Sequence, residues 1–284
     1  NSMINKEHDF FRISTKNKSD KKIIEKKLGK VLIKNNYEDF NKYDVLPLLI
    51  NNFSLRFLEQ NKEIRREFID YFLFHVKHDY LEKLKRFKKI LFSRNKALRE
   101  NNKEQISVWT KFLIESSIEI NILRERIVKE VLEDLEENIL KKLEDKRWVE
   151  ILSTLEISFF SGWKGDRLKE QLREEYEEDL IKGFTKSGAH KFDLEIKVLG
   201  EKSGNILSRG EQKLLILLVF LSFGEFFAKT KNKNLIYLID DLASELDQKN
   251  LNLALQFLDI TKGQKIITSV KKIENKSIKQ LIDL

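Results

Sequence analysis

With 284 residues the chain is long enough to bury a substantial core in one or two domains, and 35% charged residues against 41% hydrophobic ones exclude disorder by composition. One proline and ten glycines favour long uninterrupted helices over a turn-rich β fold. The absence of cysteine excludes disulfides and thiolate metal sites, and no run of about 18 apolar residues occurs, so no transmembrane helix is expected. A net charge of +8 points to a polyanionic partner, nucleic acid first, with a solvated lysine-rich surface as the alternative.

Residues 1–60 read as short strands and turns. Runs at 10–13, 23–26 and 31–33 are apolar or alternating, with Gly29 placed like a hairpin turn between the last two. Residues 45–50 are a continuous apolar run, as in a buried strand, and Pro47 inside it marks an end or an edge. From residue 62 the period becomes helical. Tyr80, Leu84, Phe87, Leu91 and Leu98 form one stripe, which ends at the polar break 100–102. A second helix is predicted over 104–145, with Ile106, Trp109, Leu113, Ile120, Leu123 and Ile127 on a stripe that Val128, Leu132, Leu135 and Ile139 continue. Two long helices joined by a short polar turn make an antiparallel hairpin, and its stripes are packing surface.

Past Trp148 the β-like pattern returns with a strand over 155–160. An acidic amphipathic helix follows at 166–181, and a strand at 192–199. A strongly apolar helix fills 206–227 after a turn, residues 235–239 fit a central strand of a parallel sheet, 251–258 is helical and 265–270 is a last strand. The fold class is therefore α/β, with a helical hairpin inserted between two sheet-bearing segments.

Three constellations carry chemistry. In Leu207-Ser208-Arg209-Gly210-Glu211-Gln212-Lys213 a serine and a glycine precede a long helix. Such a start supplies an N-cap, free N–H groups and a bare backbone for a phosphate, and an ordinary N-cap is the plainer reading. Next, an apolar strand ends in Asp240 and Asp241, which places carboxylates where α/β folds bind ligands; one could hold Mg2+ and the other orient a water. Ser244-Glu245-Leu246-Asp247 follows directly. His75 and His78 are three apart on a helix, but with no third ligand they read as ordinary surface or core histidines, and His190 reads as structural.

In that order and spacing the three stretches resemble the ABC ATPases, and within them the RecF family. The family's LSRGQ-K-L and YLIDD-ASELD stand here as LSRGEQKL and YLIDDLASELD. Arg65-Arg66-Glu67-Phe68-Ile69-Asp70 is similar to its RR-x-F-L-D segment, and 185–193 to its T-x-x-G-P-H-R-x-D segment. Departures are Ala189 for proline, Gln60-Asn61-Lys62 for G-x-P, and Asn250 for a basic residue. No G-x-x-x-x-G-K-[ST] phosphate loop occurs. In the family that loop lies ahead of the region matched here, so the chain is expected to lack the start of lobe I and to bind ATP poorly by itself.

The resemblance implies an ABC-type head with an inserted helical lobe II. Residues 1–70 would be the remainder of the N-terminal part of lobe I, 71–149 the helical arm and 150–284 the C-terminal part of lobe I. It implies ATP and Mg2+ as cofactors. Asp240 would serve the metal, and Asp241 the attacking water, at a position where most ABC proteins have glutamate. Ser208 and the Gly210 N–H would reach the γ-phosphate held by a partner head, with Asp247 across the interface. An ATP-dependent homodimer would clamp DNA in the cytoplasm and promote recombinase loading at gaps, together with RecR, RecO-type mediators and RecA. Thr268 and Ser269 receive no role, and Arg209 and Lys213 read as solvated helix charges, with contacts to partner or DNA as the alternative. Two other readings stand beside this one: another SMC- or ABC-type repair head, whose arms are usually far longer than the insertion here, and a non-catalytic helical interaction protein with relic ATPase motifs.

Overall fold

A computed structural model describes residues 10–16, 21–27, 30–34, 45–58, 62–232, 234–270 and 273. Contacts divide the chain into two units, residues 1–46 and 47–284. The first contains β1 (Phe10–Lys16), β2 (Lys21–Lys27) and β3 (Lys30–Lys34), an antiparallel sheet in the order β1-β2-β3 that matches the three short runs expected from sequence. The turn expected at Gly29 lies outside the described residues.

The second unit is built around a three-stranded sheet of β4 (Val45–Ile50), β8 (Asn234–Ile239) and β9 (Gln264–Ile267), with β8 in the middle. β8 and β9 are parallel, Ile236 facing Gln264 and Ile239 facing Ile267, and α9 (Gln248–Ile260) makes the crossover that a parallel pair requires. Pro47 sits in β4, at one end of this strand order, where a missing N–H is tolerated. The helix expected over 206–227 is α8 (Arg209–Lys231), preceded by the short α7 (Ser203–Ile206). Every residue from Leu214 to Gly224 in α8 is buried, the signature of a helix apolar on all sides and enclosed by other elements. Phe220 and Phe223 of α8 pack with Phe68 and Phe72 of α1 (Lys62–Val76), and Phe57 of the preceding 3-10 turn joins them, with ring centroids 4.2–6.1 Å apart. Gly224 is a glycine for a steric reason: a Cβ there would lie 2.5 Å from the Tyr237 hydroxyl.

The helical hairpin is α2 (Tyr80–Arg99) and α3 (Lys103–Asn138), joined by a three-residue turn in which Asn101 is left-handed (φ 50°) and the Asn102 side chain caps α3 by accepting from the Gln105 N–H at 3.1 Å. The stripe residues Phe87, Leu98, Ile106, Leu113, Ile120 and Ile127 are buried. The helix expected to reach residue 145 ends at Asn138; after a 3-10 turn at Leu140–Lys142 a new helix starts, α4 (Lys146–Ser153), which the Asp145 carboxylate caps by accepting from the Trp148 N–H. The expected helix 166–181 is two helices, α5 (Leu168–Glu174) and α6 (Tyr176–Lys182), broken at Glu175. An antiparallel sheet of β5 (Glu156–Phe160), β6 (Asp193–Val198) and β7 (Glu201–Lys202) completes the unit. No helix among the described residues is long and apolar enough to cross a membrane.

Candidate functional site

The acidic end of β8 is pinned from both sides. Asp240 N–H donates to Ile50 O of β4 at 2.9 Å, and Thr268 N–H donates to Ile239 O at 2.9 Å. Thr268 Oγ1 accepts from the Asp241 N–H at 2.8 Å and donates to Asp240 Oδ1 at 2.7 Å. One hydroxyl thus fixes both the Asp240 carboxylate and the backbone of its neighbour. Asp241 is left-handed (φ 50°), a conformation aspartate tolerates better than most residues.

Lys213, one turn into α8, reaches the same loop. Its Nζ donates to Asp241 O at 2.8 Å, Ser244 O at 3.0 Å and Ser244 Oγ at 2.7 Å. The expectation of a solvated helix charge is therefore corrected: Lys213 is half-buried and donates to two loop carbonyls and a hydroxyl. Burial pushes its pKa below the ordinary lysine value, against the opposing pull of Asp241, Glu245 and Asp240.

Ser208 is the N-cap of α8 and forms a capping box. Its Oγ accepts from the Glu211 N–H at 3.3 Å, and its own N–H donates to Glu211 Oε2 at 2.9 Å. Burial alone would raise the Glu211 carboxyl, but the Ser208 N–H and Arg147 hold it below the usual range. Gly210 packs against the loop after β8. A Cβ there would meet Asn250 Nδ2 at 3.1 Å and Glu245 O at 3.2 Å, so the bare backbone is needed for close approach within the chain. Asp247 caps α9, its Oδ1 accepting from the Asn250 N–H at 2.7 Å. The start of α8, the strand-end acids and the loop 242–247 are in this way one cluster. A narrow crevice lined by Ile50, Asn51, Lys213, Ile239 and Asp240 opens beside it.

No group of three or more histidine, cysteine or acidic side chains that could hold a metal occurs among the described residues. The arrangement suits Mg2+, which is commonly held through one or two carboxylates with the rest of its shell from water and phosphate oxygens. Asp240, oriented by Thr268 through one oxygen, fits that use.

The other two motif segments meet each other in the interior. Arg65 makes a bidentate pair with Asp193 (2.7 and 3.1 Å) and donates to Phe57 O at 2.8 Å. Asp70 accepts two bonds from Arg124 of α3 (2.8 and 2.9 Å) and one from the Tyr80 hydroxyl (2.5 Å), while Arg124 also donates to Ala189 O at 2.7 Å. Arg94 of α2 pairs with Asp179 of α6 at 2.7 Å, both side chains fully buried, and donates to Thr185 Oγ1 at 2.7 Å. His190 Nε2 donates to Thr185 O at 3.0 Å, and burial lowers its pKa to about 4. His75 packs its ring against Tyr71, Phe74 and Phe227. Sequence reasoning missed Thr268 and the role of Lys213. The first was within reach, since a parallel partner for β8 places the first polar residue after it beside the strand-end acids.

No protein-family model matches the chain. Among curated proteins, "DNA replication and repair protein RecF" of Stutzerimonas stutzeri (strain A1501) is 35% identical over 231 residues, covering 80% of this chain and 60% of that protein. The protein of the same name from Teredinibacter turnerae is 31% identical over 232 residues, with the same 80% and 60% coverage. The chain is a homologue of RecF. It spans about 60% of the length of these RecF relatives. Two solved structures of the recombination mediator protein RecF share the fold. The RecF-ATP structure has a TM-score of 0.70 at 19% identity, covering 90% of this chain and 72% of that one. The RecF-ATPrS structure has a TM-score of 0.68 at 20% identity, covering 95% and 77%. The α/β fold expected from sequence is the fold shared with these RecF structures.

Proposed function

We propose that the chain contributes the signature, acidic-strand and following-loop part of a RecF-type composite ATP site, in a DNA repair protein that dimerises on ATP and clamps DNA. The observation that carries this reading is the convergence at Lys213. One side chain ties the α8 start, where phosphate would bind, to the backbone of Asp241 and to the loop 242–247. In this reading Asp240 takes Mg2+, Asp241 orients the attacking water, and Ser208 with the Gly210 N–H faces the γ-phosphate of a nucleotide held elsewhere, with Asp247 near the dimer interface. The capping box already engages the Ser208 hydroxyl, so phosphate would have to share or displace the Glu211 N–H. Lobe I would comprise residues 1–70 and 150–284, and 71–149 would be the inserted arm. DNA, RecR- and RecO-type mediators and RecA are the proposed partners, in the cytoplasm. The similarity to proteins called DNA replication and repair protein RecF, and to a RecF-ATP structure, supports ATP and DNA as ligands.

The test uses a molecule carrying a phosphate-binding loop together with residues 1–284. Asp241→Asn should leave nucleotide affinity unchanged and lower the hydrolysis rate by at least about a hundredfold, the usual worth of a positioned general base. Asp240→Asn should abolish the Mg2+ dependence of nucleotide binding. Unchanged hydrolysis in Asp241→Asn would remove it from the proposed role.

A further inference from the structure

The basic excess of the chain is concentrated on one helix. Eight of the 20 residues of α2 are lysine or arginine and one, Glu82, is acidic. Arg94 is consumed by Asp179 in the interior, and Lys83 by Asp79 and Glu119. The others point outward. At about 100° per residue, Lys85, Lys88, Lys89, Phe92 and Lys96 fall within an arc of about 100°, and all five are exposed. Among the described residues Arg86, Lys88 and Lys89 have no ion pair, while Lys85 and Lys96 have only exposed helix pairs with Glu82 (2.9 Å) and Glu100 (3.8 Å). Such pairs are worth at most about 1 kcal/mol and are readily exchanged for another anion. Phe92, 64% exposed, lies in the middle of the row. Arg99 extends the row but already donates to Gly183 O.

We propose that this face of α2 is a docking surface for the sugar-phosphate backbone of duplex DNA, with Lys85, Lys88, Lys89 and Lys96 on phosphates and Phe92 against a sugar. The proposal rests on the DNA-binding reading above and adds a place for it, on the helical hairpin and away from the nucleotide cluster. The row from Lys85 to Lys96 spans eleven residue steps, about 16 Å of helix, which equals the axial rise of roughly five base pairs at 3.4 Å each. The row has no acidic residue inside it, and the opposite face of α2, including Phe87, Ile90 and Leu98, is buried. That buried face also disfavours an anionic membrane as the partner. A helix lying on lipid needs a broad apolar face to insert, and α2 presents one phenylalanine.

The decisive variant is Lys85→Gln, Lys88→Gln, Lys89→Gln and Lys96→Gln together, compared with Lys129→Gln, Lys141→Gln, Lys164→Gln and Lys169→Gln, four exposed lysines elsewhere. Both sets remove the same charge from solvent-facing positions, and glutamine is about as good a helix former as lysine. Affinity for a duplex of about 30 base pairs is measured for each set in a molecule that carries a phosphate-binding loop with residues 1–284, with Mg2+ and ATP present, between about 50 and 200 mM salt. The α2 set should lose at least about tenfold in affinity at low salt and flatten the slope of log K against log[salt] by about 3 to 4, at about 0.9 for each phosphate no longer neutralised. The control set should change each far less. Equal losses in both sets would reduce the attraction to diffuse net charge and overturn the proposal. So would a parent that binds and an α2 set that binds with the same slope. A parent that binds no duplex at any salt would sink the DNA reading itself, and a parent that binds only vesicles of anionic lipid would assign the face to a membrane.

Discussion

Ser208, Lys213 and Thr268 illustrate how single side chains build the cluster. Ser208 caps α8 while Glu211 returns the bond, the two donors at the helix start being satisfied reciprocally. Thr268 both accepts from Asp241 and donates to Asp240, a use that only a hydroxyl can serve at that position. His190 makes the opposite point, since its chemistry is set by what it lacks. Its Nδ1 is buried without a hydrogen-bond partner, and Lys191, Arg66 and Arg94 add to the effect of burial in disfavouring the imidazolium. The folded pKa of about 4 lies below the ordinary 6.5, so the unfolded chain binds more protons between those values. Stability should therefore be full above about pH 6.5 and fall as pH drops towards 4, by about 3 kcal/mol in total. Denaturant unfolding across that window measures it, and His190→Gln, which keeps a donor for Thr185 O, should remove this part of the pH dependence.

At the scale of elements, the helical hairpin joins the rest of its unit through buried ion pairs as well as apolar stripes. Arg94 and Arg124 reach from α2 and α3 to Asp179, Asp70 and the Ala189 carbonyl. A buried pair contributes little net stability while intact, but removing one partner leaves an uncompensated charge. Asp179→Ala is therefore expected to lower unfolding free energy by about 3–5 kcal/mol, and the double variant with Arg94→Leu to recover part of it; chemical denaturation of the two checks the pair. The elements themselves were largely legible. Stripes such as Ile106, Leu113 and Ile120 and the apolar run 235–239 have periods that local geometry dictates. The breaks were not: α3 stops at Asn138 and the 166–181 segment splits at Glu175, although the polar–apolar period runs on through both. Beyond the first, Asp145 caps a new helix locally, and beyond the second, Asp179 is buried against Arg94, 85 residues away in sequence. The site divides in the same way. Motif order names Ser208, Asp240 and Asp247 as candidates, and the structure brings their segments together, whereas Lys213 and Thr268 join them through a loop fold and a parallel strand pairing that local sequence does not display.

On the scale of the whole molecule, the α/β fold shared with RecF-ATP sets the frame, and the chain spans about 60% of its RecF relatives. In the composite site proposed above, the α8 start and the acidic strand end would serve a nucleotide shared between two copies. Nucleotide would then act on association as a ligand that binds the dimer better than the monomer. The most direct measurement of that claim is light scattering on a molecule that carries a phosphate-binding loop with residues 1–284, with and without Mg2+ and ATP. Nucleotide should convert monomer to dimer. Ser208→Arg should bind nucleotide as before yet stay monomeric, after a loss of stability of only about 1 kcal/mol from the missing cap, monitored by melting. A Ser208→Arg protein that still dimerises on ATP, or a parent whose mass ignores ATP, would contradict the composite site.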